Sequence, residues 1–405
     1  MRINRQQSHL SFRSNRRRRS GCVSLPLFLG VLVGITGMIV ISWQWLGQRF
    51  NLNATTTPQT ASFAAPQAAF DQGDLDTAID MAQQILEHNP DDIDALKILT
   101  RALIYRSYSD YNQSIDRTIA LDVTTAALNR MPNNIDVKAL HAFVLQAVGR
   151  PVEAAALARE VLNIDAEHTL ARTALALSYG SVGSFDVALR ESQRAVQSTS
   201  TDIDALRALA ISYSDLGQYQ RAIETINRAI ANNNRLLALH FEKALYAMQL
   251  GDADAATVAY FQVVTYAPEN VKVRLRLCEL SSLLRERDSA ISYCQQVTEQ
   301  APDWADGWFQ LGYEYFLQGD FVAARDNLNR CSTLQVMQNI PLAQRHFECW
   351  YLQGQAAEIL GDCETLLTTY NEFRAMATDA AIQETWTYPP EGPPNCVGFV
   401  ATAER

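Results

Sequence analysis

The sequence predicts an all-α protein: a right-handed solenoid of about eight to nine stacked helix hairpins, preceded by one transmembrane helix. Three observations predict it. Alanine, glycine and proline recur in phase at a spacing of 34 residues; each period holds two amphipathic helical patterns; and one long uncharged apolar segment stands near the N-terminus. Fixed spacing of this kind is the signature of repeat architectures.

Composition bounds the reading. The chain has 405 residues, 48% hydrophobic and 19% charged, with 18 glycines and 13 prolines, which excludes wholesale disorder and a collagen-like chain. Its net charge of −10 averages two unlike pieces. Residues 1–22 carry seven arginines and no acid, whereas residues 51–405 carry 26 basic against 44 acidic residues.

Between these pieces, no residue from Ser20 to Gln48 is charged. As a helix, the 24 residues Val23–Leu46 would span about 36 Å, enough to cross a hydrocarbon core of about 30 Å. Arg16–Arg19 precede the span, which by the positive-inside rule places the N-terminus in the cytoplasm and the remainder outside. Trp43 and Trp45 fall at the headgroup level. A cleaved signal peptide is the alternative, but the residues after the apolar core are bulky, and Ala54 or Ala61 lies far downstream. The expectation is therefore a single-pass membrane protein: a basic cytoplasmic tail (1–22), a membrane helix (23–46), a polar linker (47–58), an extracytoplasmic solenoid (59–376) and a Pro-rich C-terminal tail or cap (377–405).

The solenoid keeps strict time. Ala120, Ala154, Ala188, Ala222, Ala256, Ala290 and Ala324 are each 34 residues apart, and Ala78 precedes them by 34 plus 8. Gly149, Gly183, Gly217, Gly251, Gly319 and Gly361 follow the same clock, as do Pro90, Pro132, Pro268 and Pro302. In the period from Ile203, Leu206, Leu209, Ala210 and Tyr213 share one helix face, Gly217 ends that helix, and Ala222, Ile226, Ala229 and Ile230 line a second. Asn232–Asn234 break the chain before the next pair.

This pattern resembles the tetratricopeptide repeat family, and with the apolar span it looks like a membrane-anchored, bacterial-type member. The period from Ala305 carries Trp308, Leu311, Gly312, Tyr315, Gly319, Phe321 and Ala324 at the family's signature positions. Departures are Arg285 for the turn glycine, Pro151 for an aromatic and Leu366 for the last alanine. The resemblance covers residues 59–376, and such hairpins need polar or covered ends, which the degenerate start and the C-terminal stretch after Phe373 supply.

Catalytic chemistry has no grouped residues to rest on. The six histidines lie in no metal-type spacing, and no phosphate loop or nucleophile elbow opens a helix, so no enzyme activity, cofactor, metal or nucleic-acid partner is expected. His141 and His240 read as structural. Binding is a different matter. The resemblance implies that first helices line a concave groove, and its groove positions hold Phe143, Leu177, Phe241, Leu245, Met248, Leu275, Leu283, Phe309, Tyr313, Phe316 and Tyr351. Apolar residues at solvent-facing positions mark a partner site unless the superhelix is wound tightly enough to pack them on itself. Arg207, Lys272 and Arg276 occupy basic positions that carboxylate-gripping members use, but Ile211 and Glu242 replace the asparagines, which argues against that ligand mode. The expectation is a scaffold whose segment 203–320 binds a helix or extended peptide of a membrane or envelope complex; a chaperone-like assembly factor for exported clients is the alternative.

Two eight-residue insertions interrupt the period, one around Tyr105–Ser114 and one around Val336–His346, read as longer helices or as partner contacts. Of seven cysteines, Cys22 stands alone before the span and six cluster in the last third. Six allow fifteen connectivities. Repeat geometry suggests Cys278–Cys294 within one hairpin, Cys331–Cys349 across the second insertion, and Cys363–Cys396 pinning the tail.

Overall fold

A computed structural model of the chain describes residues 64–379, 386–388 and 393–396. These all belong to the second of two compact units, Ala61–Arg405. They form nine helix hairpins: α1 (Ala64–Asp71) with α2 (Leu75–His88), α3 (Ile93–Ser109) with α4 (Ile115–Arg130), α5 (Ile135–Ala147) with α6 (Pro151–Ile164), α7 (Thr169–Ser181) with α8 (Phe185–Ser198), α9 (Ile203–Asp215) with α10 (Tyr219–Asn232), α11 (Leu237–Leu250) with α12 (Ala253–Tyr266), α13 (Val271–Leu283) with α14 (Arg287–Gln300), α15 (Ala305–Gln318) with α16 (Phe321–Met337), and α17 (Glu348–Leu360) with α18 (Cys363–Asp379). No strand occurs among the described residues.

The periodic alanines explain the hairpins. Ala78, Ala120, Ala154, Ala222, Ala256, Ala290 and Ala324 are wholly buried, because a methyl group lets the second helix of each pair lie close against the first. In α18 Leu366 takes this position and is equally buried. Asp92, Asn134, Asp202 and Asn270 cap first helices by accepting the backbone N–H three residues on, each cap being worth about 1 kcal/mol. The turn glycines have φ of 71 to 87°, and Arg285, in their place, is held at φ 64°, a left-handed conformation disfavoured for a residue with a Cβ.

Both insertions lengthen helices. The first carries α3 a turn further, to Ser109; the second carries α16 to Met337 and adds a short 3-10 turn, Leu342–Gln344.

Three disulfides join the pairs suggested by repeat geometry: Cys278–Cys294, Cys331–Cys349 and Cys363–Cys396, with Cα separations of 5.4, 6.0 and 5.5 Å. The first two bonds are buried. The third ties down the tail, whose Trp386 fills the notch at Gly354, where an added Cβ would collide with the indole. Trp386 meets Tyr351, Tyr370 and Phe373 edge-on at 5.6, 5.1 and 5.2 Å, and the Tyr388 hydroxyl donates to Glu358 at 2.7 Å.

The membrane expectation is corrected. Among the described residues no helix is long and apolar enough to cross a membrane, so a single-pass membrane protein with a cytoplasmic N-terminus and an extracytoplasmic solenoid is not supported. The physical reason lies in the repeats: the described helices are short, at most 17 residues, and none sustains the about 20 apolar residues that a crossing needs. The tail 1–22, the segment Val23–Leu46, the linker 47–58 and Cys22 lie outside the described residues.

Candidate interaction surface

The first helices of the hairpins form one wall, and the chain itself occupies part of it. Residues 99 to 193 positions apart meet there. At depth, lengthened α3 lies against α11. Asp204, at the start of α9, is ion-paired with Arg101 Nε and accepts from the Tyr105 hydroxyl, both at 2.7 Å. Burial opposes the charge on Arg101, but Asp204, Tyr105 and Asp202 together outweigh it; burial and then Asp204 push the Tyr105 hydroxyl well up, so it stays a donor. Next to this layer, Arg207 Nε donates to Glu242 at 2.7 Å while its guanidinium lies 4.9 Å over the Tyr108 ring. Burial raises the Glu242 carboxyl against the pull of Arg207.

Nearer the rim, the turn after α3 reaches α13. Asn270 Nδ2 donates to the Ser109 carbonyl at 2.8 Å, the Lys272 backbone N–H donates to Asp110 at 3.2 Å, and Lys272 Nζ donates to the Tyr108 carbonyl at 2.5 Å. Tyr111 stacks on Trp304 at 4.5 Å. Burial pushes the Lys272 ammonium down to about 8. Elsewhere on the same seam, Asn233 donates to the Phe70 carbonyl at 3.1 Å, and Gly73 lies so close to Arg235 that an added Cβ would collide with that side chain.

The residues placed in the groove by sequence therefore separate into three groups. Phe143, Leu177 and Leu275 are buried, at 2, 6 and 2% exposure, within the protein's own core. Arg207, Lys272 and Arg276 are paired within the chain, Arg276 with Glu279 at 2.6 Å. Phe241 is half-buried beneath Lys272 Nζ, 4.7 Å away, and tilted against Tyr260.

The third group is open. Leu245 and Tyr351 are 43 and 40% exposed, and Leu283, the last residue of α13, 65%. Met248, Phe309, Tyr313 and Phe316 are half-buried: the Tyr260 hydroxyl lies 3.7 Å from Met248 Sδ, Phe309 stacks on Tyr313 at 6.2 Å, and Phe316 meets Phe321 edge-on at 5.4 Å. These side chains lie on α11, α13, α15 and α17. Over this stretch neighbouring first helices pack on each other far less closely than α5, α7 and α9 do.

His141 and His240 are buried. Thr124 Oγ1 meets His141 Nδ1 at 3.0 Å, His240 Nε2 meets the Asn234 carbonyl at 2.8 Å, and burial lowers both imidazoles. Among the described residues no group of acids, histidines and cysteines is arranged to hold a metal. Reading by repeat position missed Arg101, Asp204 and Glu242 as a buried charged layer. The available signal was acid at groove positions of helices that are otherwise apolar there.

A tetratricopeptide repeat fold accounts for the hairpins, the buried alanines and the glycine turns together. Two tetratricopeptide repeat family models match residues 207–270 and 247–311. The chain is a tetratricopeptide repeat protein. Among solved structures it is similar to a chain of the APC/C hetero-tetramer Cut9–Hcn1, with 18% identity and a TM-score of 0.54, over 75% of this chain and 57% of that one. The chain thus spans a little over half the length of that neighbour. It is also similar to human IFIT1, in the structure of its dimer with m7Gppp-AAAA, with 15% identity, a TM-score of 0.51, and 87% of this chain and 79% of that one covered. At these identities the likeness is one of fold. No curated protein matches the sequence. Tetratricopeptide repeats in general mediate protein–protein interactions, and scaffolds built from them are generally non-enzymatic.

Proposed function

We propose that this protein is an interaction scaffold that takes a peptide or helix of a protein partner along the open aromatic stripe of α11, α13, α15 and α17. The observation that carries this reading is the run of exposed and half-buried apolar side chains Leu245, Met248, Leu283, Tyr313, Phe316 and Tyr351 along successive first helices. Aromatic and methionine anchors dominate the energetics of such interfaces, and contiguous apolar surface on a soluble-type repeat wall marks a contact. The buried acid of this stripe is neutralised in place, since Glu314 is paired with Arg287 at 2.8 Å, so the wall offers apolar contact without a desolvated lone charge.

Leu245→Asp with Leu283→Asp tests the reading, because both side chains are exposed and lie outside the buried core. Quantitative co-purification from the native source should lose its stoichiometric partners with this pair and keep them with Val152→Asp, an exposed position on a second helix. An unchanged partner set with the double variant would sink the proposal.

A further inference from the structure

The half of the wall that the chain closes on itself shows what kind of ligand it accepts. Four consecutive residues, Tyr108-Ser109-Asp110-Tyr111, are recognised there by side chains and backbone of three other hairpins. Arg207 takes the Tyr108 ring face. Asn270, 6% exposed, spends its amide on a main-chain carbonyl. The first turn of α13 donates its free N–H to the Asp110 carboxylate, as helix N-termini do for acids. Trp304 supplies a flat face for Tyr111. These are the elements of sequence-selective peptide recognition: backbone bonds for register and a charged and two aromatic subsites for identity. The place is also where the stack is least continuous, since α12 and α13 pack less closely than the other second-to-first helix junctions.

We propose that the cleft walled by Arg207, Asn270, Lys272 and Trp304 is a second peptide site, selective for a segment with an aromatic residue, any residue, an acid and an aromatic residue in sequence, and that Tyr108–Tyr111 is its intramolecular occupant. The occupant is held in two layers. Tyr105 and Arg101, one and two turns earlier in α3, are sealed on Asp204 and stay in place. The recognised residues are the last two of α3, Tyr108 and Ser109, and the two that follow it, so they can leave by unwinding the final turn while the body of that helix stays in place. A tethered occupant acts at an effective concentration of the order of millimolar, so a free partner of the same motif engages only as that turn is displaced. This site is distinct from the open stripe, and its test uses neither the residues nor the partners of that stripe.

The probe is a fluorescein-labelled peptide of residues 105–114, Tyr-Arg-Ser-Tyr-Ser-Asp-Tyr-Asn-Gln-Ser, titrated by anisotropy against the full chain. The intact protein should bind it at least tenfold more weakly than the Tyr108→Ala, Tyr111→Ala variant. Binding to that variant should fall at least tenfold when Lys272→Met and Trp304→Ala are added, and when asparagine replaces the aspartate of the peptide. If the double variant does not fold, by circular dichroism, Tyr111→Ala alone, which removes only the ring on Trp304, should still bind the peptide more tightly than the intact chain. Equal affinity of the intact and released chains, absence of binding to a folded released chain, or binding indifferent to Lys272 and Trp304 would each overturn the proposal.

Discussion

The two halves of the stack are held by different forces. From α1 to the start of α15, contacts close across long sequence distances: Tyr105 to Asp204, the Ser109 carbonyl to Asn270, and Tyr111 to Trp304. From α13 to the tail, three disulfides close short loops of 16, 18 and 33 residues instead. Where the chain returns onto itself, non-local contacts supply cooperativity that a linear array lacks. Where it does not, each repeat leans on its neighbours alone and frays from the end unless it is stapled. The concave wall follows the same division, closed in the first half and open in the second.

The largest effect should come from breaking the closed half at its charged centre. Asp204→Ala strands a buried guanidinium and a buried hydroxyl, and should cost about 3–5 kcal/mol in urea unfolding. An effect below about 1 kcal/mol would show that the long-range layer carries little of the stability.

Removing the tail staple should matter almost as much, but locally. Cys363→Ser with Cys396→Ser should destabilise the last hairpin by about 2–4 kcal/mol. Amide hydrogen exchange should then quicken in α17 and α18 while α3 to α9 keep their protection. A uniform loss of protection would mean that the two halves unfold as one.

Smaller effects sharpen the picture. Arg285→Gly relieves a left-handed residue at the turn between α13 and α14 and should raise stability by about 1 kcal/mol, read as an increase in the urea midpoint. Acid should weigh on the closed half through His141 and His240. Burial lowers both in the folded chain, so below pH about 6.5 the unfolded chain takes up protons that the folded chain refuses, and stability falls as pH falls. His141→Asn should flatten that slope by the share of one group, and an unaltered slope would remove the imidazole from the account.

Periodicity made the hairpins, the buried alanines, the left-handed turns and the repeat-based cysteine pairs legible, because each is a contact within a repeat or between neighbours. The closure was not legible. Asp204 and Tyr105 are 99 residues apart, and a 34-residue rhythm carries no mark of which repeats meet after a turn of the superhelix. Repeat position assigned Phe143 and Leu275 to a groove, but both are buried, and whether such positions stay open depends on how closely successive first helices approach, a property of packing over several repeats. The tyrosines of the first insertion stood out as a cluster, yet their receptors Lys272 and Trp304 belong to hairpins far along the chain. The membrane assignment rested on residues 23–46 alone and finds no counterpart in the amphipathic repeats.

The division of the wall is most directly tested by a photo-crosslinking amino acid placed at position 313 in the open half and, in a separate protein, at position 177 in the closed half. Irradiation in the native source should couple a partner protein through position 313 and yield only intramolecular products, or none, through position 177. Equal capture of partners from both positions, or capture from position 177 alone, would contradict the account.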